Sequence, residues 1–262
     1  MNREPVYIIK IGGNIIDDDQ RLSSFLALFS RLEGKKILVH GGGKLATRLA
    51  TDLNIPQQMV EGRRITDAET LKIITMVYAG YINKNIVAGL QAAGTNAIGL
   101  TGADGNLVLA HKRQSSSIDY GYVGDIDQVN GGLLQQMLGN GLTIVVAPVT
   151  HDGRGQLLNT NADTIAQSIA VSLSGHYEVT LVYSFEKPGV LLDVDDNSSV
   201  IPELNPGLYA KYRVEEKIFA GMIPKIDNAF AALSTGVKKV IIGKAEELDK
   251  LISGYGGTSI SL

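Results

Sequence analysis

Three consecutive glycines, Gly41-Gly42-Gly43, stand between a short apolar run and a helical repeat, and no other stretch restricts the fold so strongly. Ile37, Leu38 and Val39 before them have the uninterrupted, β-branched character of a strand covered on both faces. After them Leu45, Leu49 and Leu53 recur every four residues with Ala46 and Ala50 alongside, which predicts one face of a helix. Bare backbone between a strand and a helix has two readings. It is a tight turn, or it is a turn whose uncovered N–H groups, at the positive end of a helix, receive an anion. Three glycines in a row exceed what a turn needs and favour the anion.

The same design occurs earlier, where Val6-Tyr7-Ile8-Ile9-Lys10-Ile11 runs into Gly12-Gly13-Asn14. A lysine buried in such a run is costly without a partner. Lys10 is either a snorkelling edge lysine or a working ammonium, and its place beside the glycines favours the second. Asp17 to Asp19 offer N-caps for a helix presenting Leu22, Phe25, Leu26, Phe29 and Leu32, stopped by Gly34. Residues 6–53 therefore read β-α-β-α, which predicts an α/β fold with a parallel sheet.

Further along, Glu61-Gly62-Arg63-Arg64 puts two arginines on a loop, as surface charge or as a carboxylate clamp. Thr66-Asp67-Ala68-Glu69 has the form of a capping box and opens a helical pattern reaching Gly94. That helix either fills one core or leaves a face for a second copy of the chain. Residues 107–130, including Tyr120 to Val123, carry alternating β signals of hairpins placed to cover a site. Asn159-Thr160-Asn161-Ala162-Asp163 holds more capping residues than the following helix requires. Strands are expected at Val179–Tyr183, Val190–Leu192 and Lys238–Ile242, with a helix opening at Gly221-Met222-Ile223-Pro224-Lys225. Gly175 divides an N-terminal lobe, 1–174, from a C-terminal lobe, 175–262.

Composition removes several classes of function. A net charge of −3 with no basic run beyond two residues argues against nucleic acid and anionic membranes as partners. The absence of cysteine excludes disulfides and thiolate chemistry, and the four histidines are scattered singly, so no metal-ligand pattern is present. No apolar run is long enough to span a bilayer, and the first strand begins too early for a signal peptide, which predicts a soluble, cytoplasmic protein.

Two phosphate-binding patterns fit poorly. The P-loop needs a Ser or Thr after its lysine, and Lys44 is followed by Leu45. Gly41, Gly43 and Ala46 satisfy a dinucleotide fingerprint with Glu61 downstream, but leave Lys10, Arg64, Asn159, Asp163 and Lys225 idle. Those groups suit phosphoryl transfer to a nucleophile that is already ionised, such as a carboxylate of reference pKa about 4. There, positioning and positive charge carry most of the catalysis.

Lys10-Ile11-Gly12-Gly13, His40-Gly41-Gly42-Gly43, Gly62-Arg63-Arg64-Ile65-Thr66, Asn159 to Asp163 and Gly221 to Lys225 stand in the order and approximate spacing of the amino acid kinase family, which the chain resembles over nearly its whole length. The resemblance implies a three-layer α/β/α open sandwich with a mainly parallel central sheet. It implies that residues 1–174 bind an acylglutamate and form a dimer contact, and that residues 175–262 bind ATP, accompanied by Mg2+. By the same resemblance Lys10 and Lys225 flank the transferring phosphoryl group, Asp163 orients them, and Gly13 donates its N–H. Gly42, Gly43, Arg64 and Asn159 hold the acylglutamate, while Gly12, Glu186, Gly189 and Met222 fall at the nucleotide site.

The acceptor implied is the γ-carboxylate of N-acetyl-L-glutamate, in arginine biosynthesis. N-succinyl-L-glutamate, with Arg63 or Lys112 as an extra cation, is an alternative, as are another substrate of the family and a non-catalytic regulatory binder. Three departures stand out. Glu186 occupies the place of the family's usual aspartate, and Ala220-Gly221 replaces a double glycine. Arginine-inhibited hexameric members carry an additional N-terminal helix that this sequence lacks, which predicts an arginine-insensitive homodimer.

Overall fold

Val6 and Ile8 enter one apolar core while Ile9 and Ile11 enter another, because successive side chains of a strand leave on opposite faces. That alternation makes the strands the middle layer of the molecule. The computed structural model describes residues 3–60, 63–218 and 220–262, with the side chains of Arg63 and Ala220 excepted. Glu61 and Gly62 of the arginine loop lie outside the described residues.

The chain begins β1 (Pro5–Ile11), α1 (Gly13–Ile16), α2 (Asp19–Arg31), β2 (Lys35–His40) and α3 (Gly43–Asp52). A hairpin of β3 (Gln58–Val60) and β4 (Arg63–Ile65) leads into α4 (Ala68–Ile74), a π-helical stretch Thr75–Ile82, and α5 (Asn83–Ala92). Then come β5 (Ala97–Leu100), β6 (Val108–Lys112), β7 (Gly124–Val129), α6 (Gly131–Gly139) and β8 (Thr143–Val146). The hairpin β9 (Val149–His151) and β10 (Leu157–Asn159) precedes α7 (Ala162–Ser174) and β11 (Glu178–Phe185). Last are β12 (Glu203–Leu204), α8 (Pro206–Val214), α9 (Ile223–Ser234), β13 (Lys239–Lys244), α10 (Leu248–Ser253) and β14 (Thr258–Ile260).

Among the described residues eight strands form one sheet in the order β12-β14-β13-β11-β1-β2-β8-β5. Its neighbours are parallel except for β13 and β14. Helices α1 to α5 and α10 pack on one face, α6 to α9 on the other, which is the expected three-layer sandwich. A second sheet, β10-β9-β6-β7, lies beyond it and contains the expected hairpin. The chain leaves β1 for β2 across one face and reaches β11 from α7 on the other. The strand order therefore turns about the β1–β11 pair, where the carboxyl ends of parallel strands open a crevice for ligands.

Four local expectations are corrected. In α3 it is Ala46 and Ala50 that are buried, letting the helix lie close to the sheet, while Leu45 and Leu49 flank the contact and Leu53 is exposed. The N-cap of α4 is Asp67, whose carboxylate accepts from the Thr70 N–H at 2.8 Å, so Thr66 is free for another task. Tyr120 to Val123 form no strand and are joined to their neighbours by single bridges at Gly121 and Val123. Val190–Leu192 is likewise reduced to one bridge, Leu191 with Val200.

Candidate active site

Lys10 is the next-to-last residue of β1, at the carboxyl end of the sheet, and Asp163 is the second residue of α7. Asn161 caps α7, its side chain accepting from the N–H groups of Asp163 and Thr164 at 2.8 and 3.2 Å. This turns the Asp163 carboxylate toward β1, where one oxygen lies 2.8 Å from the Lys10 ammonium. The other oxygen accepts from Lys225, carried in the first turn of α9 behind Pro224. Burial raises the pKa of Asp163, but the two ammonium groups outweigh it and hold the carboxyl at about 2. One carboxylate thus steadies two cations, leaving a net positive charge and unused N–H donors on both.

The two glycine turns flank this cluster. Gly12 caps α1 with extended backbone, and Gly13 opens that helix. Gly42 caps α3 at φ 152°, where a side chain is disfavoured, and a Cβ there would lie 2.3 Å from Ile82. The glycine is therefore required both by backbone and by the close approach of the π-helical stretch. Preceding it, His40 is fully buried: its Nδ1 donates to the Gly41 carbonyl at 2.8 Å and its Nε2 accepts from Asn83 at 3.2 Å. Burial lowers the imidazole pKa to about 4, so His40 is neutral and fixes the turn from behind.

On the side of β4, the Arg64 guanidinium donates to the Gly43 carbonyl at 3.0 Å, to Thr47 at 2.8 Å, and to Gln57. Asn159 ends β10, and its amide donates to the Thr66 hydroxyl at 3.0 Å. Thr66 in turn exchanges main-chain bonds with Tyr120 and Tyr122. The arginine hairpin, the loop between β6 and β7, and β10 are thereby tied around one wall.

The expected nucleotide residues divide. Glu186, just past β11, accepts a hydrogen bond from the Asn14 amide. Met222 ends the turn before α9 and packs against the core. Gly189 is buried, and a Cβ there would meet Thr258 and Val200. Asn14 and Lys44 were not anticipated from sequence: Lys44 donates to the Asn14 amide oxygen while Asn14 donates to Glu186. The available signal was a lysine in the first turn of a helix, where the macrodipole disfavours a cation.

Residues 5–244 match the amino acid kinase family. The acetylglutamate kinase of Cytophaga hutchinsonii is 56% identical over 251 residues, covering 95% of this chain and 95% of that protein. The acetylglutamate kinase of Phocaeicola vulgatus is 53% identical over 248 residues, covering 95% of this chain and 96% of that one. Among solved structures, N-acetylglutamate synthase from Neisseria gonorrhoeae, complexed with coenzyme A and N-acetyl-glutamate, superposes with a TM-score of 0.84 at 24% identity. That match covers 100% of this chain and 60% of the synthase, and it is a likeness of fold.

Proposed function

The chain belongs to the amino acid kinase family, and from that premise we propose that it transfers the γ-phosphoryl group of ATP to the γ-carboxylate of N-acetyl-L-glutamate. The observation that carries this reading is the Lys10–Asp163–Lys225 cluster between two glycine turns at the carboxyl ends of β1 and β2. A γ-carboxylate of pKa about 4 is ionised at neutral pH and needs no general base. One of its oxygens attacks the γ-phosphorus, the bond to the β–γ bridging oxygen breaks, and that electron pair leaves with ADP. The product is an acyl phosphate, and no proton moves. Lys10 and Lys225 offset the repulsion between two anions and the charge that builds on the transferring group.

In this reading Gly42, Gly43, Arg64 and Asn159 hold the acylglutamate within residues 1–174. Glu186, Gly12 and Met222 border ATP, held by residues 175–262. Mg2+ accompanies the nucleotide phosphates in this reading, as is usual for ATP-dependent phosphoryl transfer. No helix among the described residues is long and apolar enough to cross a membrane. A cytoplasmic location belongs to the same proposal. Met76 and Tyr81, exposed on the long helix, support a homodimer contact there.

The test is ATP-dependent acyl-phosphate formation trapped as hydroxamate, with N-acetyl-L-glutamate and N-succinyl-L-glutamate run side by side. Product with the acetyl substrate supports the proposal. Preference for succinyl keeps the mechanism and changes the acceptor, and no product with either overturns the activity.

A further inference from the structure

Lys44 is the second residue of α3, directly after the triple-glycine turn. A cation at this end of a helix is repelled by the macrodipole, so local stability gives no reason for it. Residues that break a local rule in this way collect at functional sites. Its stem passes over Gly13, with Cγ 4.0 Å from where a Cβ on that residue would lie. Its ammonium therefore sits beside the first glycine turn as well as its own.

The charges nearby are unevenly matched. Lys10 and Lys225 share the Asp163 carboxylate. Lys44 makes no ion pair among the described residues, and its hydrogen-bond acceptor is the neutral amide oxygen of Asn14. The other end of that amide donates to Glu186, beyond the end of β11. Asn14 thus holds an exposed ammonium in place, and the one carboxylate whose charge reaches it, Asp17, also faces Arg48 at 3.6 Å. Lys44 also borders a recess of about 420 Å³ shared with Asn14, Asp17 and Arg48, which leaves it room to move. A cation with no carboxylate of its own beside two glycine turns is matched by a ligand carrying several negative charges. Asn14 links it to the side of the crevice where β11 ends.

We propose that Lys44 is a third phosphate-binding ammonium, which exchanges Asn14 for the β- or γ-phosphate oxygens of the nucleotide, with Asn14 as its positioning residue. This rests on the reading of the site as an ATP site. An ammonium on phosphate makes charge-assisted hydrogen bonds, so its loss is felt by ligands that carry those phosphates.

The test is equilibrium binding of ATP and AMP by calorimetry to the full chain and to Lys44→Met, Lys44→Arg and Asn14→Ala. Lys44→Met is expected to weaken ATP about 10-fold or more while changing AMP less than about 2-fold. Lys44→Arg should restore most of the ATP affinity, and Asn14→Ala should weaken ATP about 3-fold. Lys72→Met, which removes an exposed lysine of α4 paired with Glu69, is the control and should bind both as the parent does. Equal weakening of ATP and AMP, or unchanged ATP affinity in Lys44→Met, would overturn the proposal. Absence of ATP binding in the parent overturns the nucleotide reading with it. Binding of ATP without hydroxamate overturns only the acceptor assignment.

Discussion

Lys36 and Lys10 are both lysines set in apolar strands of one sheet, on adjacent strands, yet they have different occupations. Lys36 is 7% exposed, and its ammonium donates to the carbonyls of Phe29, Ser30 and Leu32 at 3.0, 2.9 and 2.8 Å. Those carbonyls end α2, where a helix has unpaired acceptors and partial negative charge. An ammonium has three donors, and Lys36 uses all of them within the fold. Lys10, with its side chain 14% exposed, has a single carboxylate partner that it shares with Lys225. Burial therefore does not separate Lys36 from Lys10, the proposed catalytic lysine. Saturation of the donors does.

The largest effect should come from Lys10→Met or Lys225→Met. Each is expected to lower kcat about 10²- to 10³-fold in the hydroxamate assay while circular dichroism stays that of the parent. Lys36→Met should do the reverse: stability in urea falls by about 2–3 kcal/mol, and kcat per folded molecule is unchanged. A catalytic defect in Lys36→Met would break the comparison.

His40 extends it to a titrating group. Both of its ring nitrogens are occupied, so it should contribute to stability and not to the pH profile of kcat. Its folded pKa of about 4 lies below the ordinary value of 6.5, so the unfolded chain takes up the proton first as pH falls. Stability is then full above pH 6.5 and is lost as pH falls from there toward 4. Urea unfolding at pH 7 and pH 5 should differ by about 2 kcal/mol in the parent and by much less in His40→Gln. Asp163, depressed to about 2 from 3.8, contributes in a lower window, its stabilisation being lost only as pH falls from 3.8 toward 2.

Arg64 is the intermediate case and the smallest effect. Its N–H donors are engaged by Gly43, Thr47 and Gln57, with the Tyr78 hydroxyl also in contact, so among the described residues it is held by neutral acceptors alone. Arg64→Lys should raise KM for the acylglutamate about 5- to 10-fold with kcat changed less than about 3-fold.

What could be read in the sequence were the residues that violate their surroundings. Lys10 is an ammonium in an apolar run, three glycines exceed a turn, and two asparagines and an aspartate exceed one cap. Lys225 became visible only through its motif, since its partner Asp163 lies 62 residues away. What could not be read depends on packing register. Thr66 looks like a cap from its neighbours alone, and only the approach of β10 gives it Asn159 instead. The joining of His40 to Asn83 follows from the π-helical stretch, whose wider turns shift the residues after it. Its near-continuous apolar sequence, Thr75 to Ile82, carries no mark distinguishing it from ordinary helix.

The β1–β11 ladder also limits how the enzyme can move. Seven consecutive register pairs, from Pro5–Glu178 to Ile11–Ser184, join the strand that carries Lys10 to the strand that leads to Glu186. The proposed lobes meet across this seam as neighbours within one sheet, at a spacing of about 4.8 Å. Prying them apart to admit a nucleotide would mean tearing a parallel ladder at the centre of the core. The sheet thus acts as a common frame for Lys10 and Glu186, so the two keep a fixed spacing at the ends of adjacent strands.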